Sequence, residues 1–343
     1  MNESMTQNPV VARLNAVTNP MIDEEREILA AVNAEIIELE GATDDEILAV
    51  AEHADAVMIV SAYLRSPVIR RMNRLRVIAR MGTGTDKIDV AEATRCGIVV
   101  ANLPDFSTEE VADHTLALLL ATARRLKYHE SCIRRGYKPA SVLGIHRLAV
   151  QTLGLVGFGR IGKAVAKRAI AFGMRVLVYD PFLTPTTLGE WNVEAVDLDT
   201  LLANSDYVSL LCPLTADNRE MISMEQLRRM KPTATFINTG RGELVNENDL
   251  AEALKTGVIQ AAAIDVYAGI NVFDEKGFST DHPYFGVDNI ILTPHVSANS
   301  EEALMTSRID SAKNVVNVLR GYRPPNIVNP DVTPRFPLQN PTP

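Results

Sequence analysis

The stretch that decides the fold runs from Thr152 to Asp180, TLGLVGFGRIGKAVAKRAIAFGMRVLVYD. An apolar run, Leu153 to Val156, enters Gly157-Phe158-Gly159-Arg160-Ile161-Gly162. A helix with Ile161, Val165, Ala169 and Phe172 on one face follows, and Arg175 to Tyr179 form a second strand. Strand, glycine turn, helix and strand together read as a dinucleotide-binding unit. Gly157 permits the tight turn, Gly159 lets the backbone approach a pyrophosphate, and Gly162 allows helix and strand to pack closely. The helix start at Arg160 and Ile161 points free N–H groups and the positive end of the dipole at the phosphates. Asp180 ends the second strand about 20 residues on, where an acid accepts hydrogen bonds from the adenosine ribose and repels the extra phosphate of NADP. The unit therefore favours NAD.

Strand and helix patterns alternate on both sides of this unit. Upstream, strands are expected at Val10 to Val17, Glu35 to Leu39, Ala56 to Ala62, Arg76 to Ala79 and Ile98 to Ala101, with helices from Asp23 and from Thr43. Such a series implies an open parallel sheet. Between its last two strands lies Arg80-Met81-Gly82-Thr83-Gly84-Thr85-Asp86, a glycine-rich loop where open parallel sheets place ligands, and its amides suit a carboxylate. The segment from Asn102 to Thr108 reads as a crossing between domains. Ser107 or Thr108 caps a long apolar helix running to Arg125, followed by a basic, less regular stretch from Arg134 to Arg147.

Downstream, Tyr207 to Cys212, Thr235 to Asn238, Ala261 to Tyr267 and Ile290 to Thr293 are strand-like, with a helix from Glu247 to Thr256. They complete a second doubly wound sheet. Ser300 to Leu319 reads as a final amphipathic helix. The proline-rich end, from Arg323 to Pro343, is expected to lie extended over the surface or fray.

Composition narrows the function. With 46% hydrophobic and 22% charged residues the chain is globular, and 343 residues allow two domains. A net charge of −9 with no sustained Lys/Arg cluster argues against a nucleic-acid partner. Cys96, Cys132 and Cys212 are scattered, show no metal spacing and fit a reducing cytosol. The N-terminus lacks an apolar signal core, and the most apolar helix is too short to span a bilayer. These features point to a cytoplasmic protein without a membrane partner.

A nicotinamide cofactor supplies hydride, so the protein must position a substrate carbon and move one proton. Three polar residues end strands of the second sheet. Arg241, in Asn238-Thr239-Gly240-Arg241-Gly242, carries a guanidinium fork suited to a carboxylate and an adjacent carbonyl. His295, in Leu292-Thr293-Pro294-His295, is the natural proton donor. Asp265 ends the strand Ala261 to Ile264, where it would orient the nicotinamide amide. The other histidines, His53, His114, His129, His146 and His282, read as structural.

The chain resembles the NAD-dependent D-2-hydroxyacid dehydrogenase family over nearly its whole length. The likeness rests on Gly82-Thr83-Gly84-Thr85-Asp86, Asn102-Leu103-Pro104, Val111-Ala112-Asp113, the glycine unit with Asp180, Cys212-Pro213-Leu214-Thr215, the Arg241 segment, Ala263-Ile264-Asp265-Val266 and Thr293-Pro294-His295. It implies an α/β protein of two doubly wound parallel-sheet domains. A Rossmann NAD-binding domain, residues 105–297, is inserted into a flavodoxin-like substrate domain, residues 1–104 and 298–343, with no regulatory domain. The resemblance places the active site in the cleft, with hinges near Pro104 and Ser297, and implies a homodimer built on the cofactor domains. It assigns Arg241 to the substrate carboxylate and keto oxygen, His295 to the proton, the amides of Gly82 and Thr83 to the carboxylate, and Cys212, Pro213, Thr239 and Asp265 to the cofactor. A small 2-keto or 2-hydroxy acid is the implied substrate.

Two departures stand out. The family usually places a glutamate shortly after the aspartate, paired with the histidine, and that position here is Ile270. Because Val272-Phe273-Asp274-Glu275 resembles the usual approach to this acid, an insertion is expected to move the role to Glu275. Ser297-Ala298-Asn299 replaces other residues that commonly line the pocket. A second reading is a binding module, since the chain is also similar to the C-terminal-binding proteins, corepressors on this fold that sense NAD(H). Phe106 to Arg125 and Tyr179-Asp180-Pro181 carry that likeness.

Overall fold

The computed structural model describes residues 7–137, 144–184, 188, 191–270 and 281–340. The chain divides into two compact units, Met1–Phe106 with Ser300–Pro343, and Ser107–Asn299.

The first unit is built on five parallel strands, β1 (Val10–Arg13), β2 (Glu35–Glu38), β3 (Ala56–Ile59), β4 (Val77–Arg80) and β5 (Val99–Ala101), in the order β2-β1-β3-β4-β5. Ala56-Val57-Met58-Ile59 is buried throughout, as expected of a strand covered on both faces. β1 stops well short of the expected Val17. Asn15 takes a left-handed φ of 61° and its side chain accepts the amides of Val60, Ser61 and Ala62, which turns the chain away and leaves Val17 exposed. Helix Glu301–Leu319, capped by Ser300 on the amide of Ala303, packs Ala312, Val315, Val316 and Leu319 against Met58, Val77, Ala79 and Val99. It also brings Arg308 to Glu25, a buried acid that faces the equally buried Arg13 at 3.5 Å.

Of the two expectations for the C-terminal tail, the described residues follow the first and lie along the sheet. Ile327 bridges Ala101 and the amide of Val328 donates to the carbonyl of Val100, so the tail pairs with the outer edge of β5. Asn329, buried, accepts the amide of Val100 and donates to the carbonyl of Ile98 and the hydroxyl of Thr94. The Arg335 guanidinium donates to the carbonyls of Met72, Asn73, Leu75 and Cys96. The tail thereby covers the outer edge of β5.

The second unit has seven parallel strands, β6 (Thr152–Val156), β7 (Arg175–Tyr179), β8 (Glu194–Ala195), β9 (Tyr207–Leu210), β10 (Thr235–Asn238), β11 (Ala261–Ile264) and β12 (Ile290–Leu292). Their order is β12-β11-β10-β9-β6-β7-β8, so the direction of winding reverses at β6. At such a reversal the loops leave the strand ends on opposite faces and open a crevice, the place where doubly wound sheets bind ligands. Arg125, at φ 50°, breaks the apolar helix Thr108–Ala123 from a further helix, Leu126–Arg134, which the sequence pattern does not show. On the dinucleotide helix, Arg160–Ala171, Val165 and Ala169 are fully buried, whereas Phe172 is the C-terminal cap and 45% exposed. Phe172 thus leaves the buried face assigned to it. Among the described residues no helix is long and apolar enough to cross a membrane.

Candidate active site

Because every strand of the second unit is parallel, the turns after β6, β7, β9, β10, β11 and β12 share one edge. That edge carries nearly all the residues singled out by the sequence.

The cofactor half lies around β6. Gly157 has φ 104°, and a Cβ there would meet the backbone of Cys212 at 2.7 Å, so the turn and the end of β9 touch directly. At Gly162 a Cβ would lie 2.4 Å from the carbonyl oxygen of Gly157, which explains the need for glycine at the first turn of the helix. Gly159 differs, since nothing lies within 4 Å of its Cβ position. It is the helix cap, no side chain caps the first turn, and open space stands over the amides, an arrangement that fits a pyrophosphate. Asp180 accepts the amide of Phe158 on one carboxylate oxygen and that of Phe182 on the other, which fixes it beside the glycine turn. Cys212 is half-buried, and desolvation pushes its thiol up to about 11, so it stays neutral. Pro213, next to it, is exposed.

The chemical half lies on β10, β11 and β12. Asn238, at the end of β10, donates from its side-chain nitrogen to the carbonyl of Arg241 and accepts the amide of Gly240, holding the turn that presents Arg241. Gly242 passes so close to the Tyr267–Ala268 peptide that a Cβ would fall 2.1 Å from the Tyr267 carbonyl carbon. His295, half-buried, sits at φ 55° with its amide donating to the carbonyl of Asp265 at 2.8 Å. Left-handed backbone at a residue other than glycine is strained and persists only where its surroundings over-determine it.

Two residues assigned to the cofactor are buried and hydrogen-bonded within the unit. Asp265 has no exposed surface, and its carboxylate accepts the Thr293 hydroxyl at 2.5 Å and the amides of Val296 and Ser297 at 3.0 Å each. Its carboxylate holds the segment that carries His295. The Thr239 hydroxyl is likewise buried, 2.8 Å from that of Thr115. Ile270 packs against the core of this unit, and Glu275 lies outside the described residues.

In the first unit, the carbonyl of Gly82 accepts the amide of Leu103, that of Thr83 accepts the Asn102 side chain, and the Thr83 hydroxyl donates to Leu103. The amides of Gly82 and Thr83 make no hydrogen bond among the described residues. Arg80 folds its guanidinium over this turn, with Nε donating to the carbonyl of Gly84. Free amides beside a cation suit a carboxylate.

Two histidines read as structural have polar company. His114 Nε2 lies 3.1 Å from the Thr293 hydroxyl and 3.6 Å from Asp265. His282 is 3.1 Å from Glu247, whose carboxyl burial pushes up to about 7 while it accepts the amide of Ala268. Tyr267 extends this cluster, its ring edge-on to His282 at 5.6 Å and its hydroxyl donating to the carbonyl of Thr293. Sequence spacing offers no signal for these pairings beyond the polar interruption Asp113-His114-Thr115 in an apolar helix.

The glycine turn, the acid after β7 and the polar edge define a dinucleotide-binding α/β protein with a reactive edge. Residues 116–297 match the family model of the D-isomer-specific 2-hydroxyacid dehydrogenase NAD-binding domain. The chain is 38% identical over 315 residues to D-3-phosphoglycerate dehydrogenase of Methanocaldococcus jannaschii, covering 91% of this chain and 59% of that one. It is 41% identical over 281 residues to glyoxylate reductase of Korarchaeum cryptofilum, covering 80% and 82%. Among solved structures, D-lactate dehydrogenase from Aquifex aeolicus, complexed with NAD and lactic acid, superposes with a TM-score of 0.82 at 29% identity, covering 91% of this chain and 96% of that one. The chain belongs to the D-isomer-specific 2-hydroxyacid dehydrogenase family, and its second unit is that family's NAD-binding domain.

Proposed function

We propose that this protein is an NAD-dependent oxidoreductase that interconverts a small 2-keto acid and its D-2-hydroxy acid. The observation that carries this reading is the placement of Arg241, Asp265 and His295 on the turns after three neighbouring strands, at the edge that also bears the dinucleotide turn. NAD, when bound along Gly157–Gly162 and Asp180, supplies or accepts the hydride. Arg241 holds the substrate carboxylate and polarises the keto oxygen. His295 gives that oxygen its proton in reduction and takes it back in oxidation. The amides of Gly82 and Thr83 supply further donors to the carboxylate. Glu275 is assigned as the acid that partners His295, in place of Ile270. The reading extends to a homodimer in the cytoplasm, consistent with three cysteines that are all free. None of the relatives above supports the corepressor-like alternative.

The test is NADH oxidation with glyoxylate, pyruvate and hydroxypyruvate phosphate, followed by chiral analysis of the product. Turnover to the D-hydroxy acid is expected with at least one of them. NADH binding without turnover on any 2-keto acid would overturn the assignment.

A further inference from the structure

We propose that two adjacent residues, His114 and Thr115, are positioning residues that hold the two reactive turns separately. His114 holds the turn of His295, and Thr115 holds that of Arg241. The inference rests on the roles given above to Arg241 and His295.

Both lie on helix Thr108–Ala123, an element otherwise lined with Val111, Leu116, Leu118 and Leu119. On the His114 side the hydrogen bonds run in one direction. The Thr293 hydroxyl donates to the Asp265 carboxylate. Its oxygen is then left to accept from His114, which places the imidazole proton on Nε2. Asp265 accepts the amides of Val296 and Ser297, and its main-chain carbonyl accepts that of His295. His114 is the outer member of a chain that ends at the backbone holding His295 at φ 55°.

On the Thr115 side the direction is also fixed. The Thr115 hydroxyl gives its proton to the carbonyl of Val111, so its oxygen accepts from Thr239. Thr239 stands between Asn238, which braces the turn, and Arg241, which the turn presents. Thr115 and Thr239 are both buried. A pair of buried hydroxyls contributes little more stability than an apolar pair of the same shape, so its effect is to fix register.

If the two anchors are separate, they separate in kinetics. In the full chain, His114→Leu is expected to lower kcat for 2-keto acid reduction by about 10- to 100-fold with little change in KM, because only proton delivery is misaligned. His114→Gln, whose amide nitrogen reaches to the position of Nε2, is expected to recover most of it. Thr115→Val is expected to raise KM for the keto acid by about 10-fold with kcat nearly kept, and Thr115→Ser to restore it. NADH titration by fluorescence shows that each variant is folded and binds cofactor as the parent does. Parallel losses in kcat and KM from both residues, losses not recovered by Gln or Ser, or no change in either would overturn the proposal. His295→Ala, measured alongside, separates the two levels. A large loss there with silent His114 and Thr115 variants sinks only the anchoring, while a silent His295→Ala sinks the site assignment beneath it.

Discussion

His295 combines a left-handed main chain with a side chain suited to proton transfer, and its amide is held by the carbonyl of Asp265 after the neighbouring strand. His295→Ala is expected to reduce kcat by about 10²- to 10⁴-fold while NADH affinity stays near that of the parent, as measured by steady-state kinetics and titration. Asp180→Ala is expected to narrow the preference for NAD over NADP, read as the ratio of the two kcat/KM values; an unchanged ratio would remove Asp180 from that role. Glu247 gives a pH prediction. Burial raises its carboxyl from 4.5 to about 7, so the folded state binds a proton that the unfolded state has released. Its contribution to stability is present below about pH 4.5 and is lost as pH rises through 7, up to about 3 kcal/mol in all. Burial also disfavours the charged form of His282 beside it, which acts in the opposite sense as pH falls. Glu247→Gln should flatten the fall in melting temperature between pH 5 and 8, and a superimposable curve would refute the assignment. The position of Arg241 and His295 after strands was legible in the sequence because each follows a short apolar run ending in small or rigid residues. His114 was not, because its partners Thr293 and Asp265 are remote in sequence and only the parallel pairing of β11 with β12 brings them together.

The turns between elements decide which glycines matter, and two of them make opposite predictions. A side chain at Gly242 would be driven into the Tyr267–Ala268 peptide, whereas one at Gly159 would stand in open space. Gly242→Ala is therefore expected to lower stability by about 1–3 kcal/mol in denaturant unfolding, as overpacking commonly does. Gly159→Ala should melt with the parent but bind NADH more weakly, since the added methyl intrudes where a pyrophosphate would lie. Equal melting of the two variants would show that the Gly242 turn relaxes freely. Every strand except β8, two exposed residues with no apolar run, could be read from its apolar run, and the acid after β7 from its spacing. Helix Leu126–Arg134 could not, because its separation from Thr108–Ala123 depends on one left-handed residue, Arg125, that no pattern announces. Phe172 was misplaced for a related reason, since the helix ends one residue before its side chain would reach the core.

Across the whole chain, the largest gap between sequence and structure is the tail. Proline-rich composition suggests a tail that lies extended or frays, and of these the first holds, with Asn329, Val332 and Arg335 binding it to β5 and to the carbonyls beyond Met72. Their partners lie more than two hundred residues upstream, so local composition carried no trace of them. Asn329→Ala removes three hydrogen bonds from a buried site and is expected to destabilise the first unit by about 2 kcal/mol, observed as an earlier unfolding transition.

The same clasp sets an order of assembly. The second unit is one continuous stretch, but the first is divided between Met1–Phe106 and Ser300–Pro343, with β5 awaiting the strand-like tail and β3 and β4 awaiting the last helix. During synthesis the nucleotide-binding half can fold while the earlier half is still waiting with one face uncovered. Residues past Ser300 must emerge from the ribosome before the opening hundred can settle.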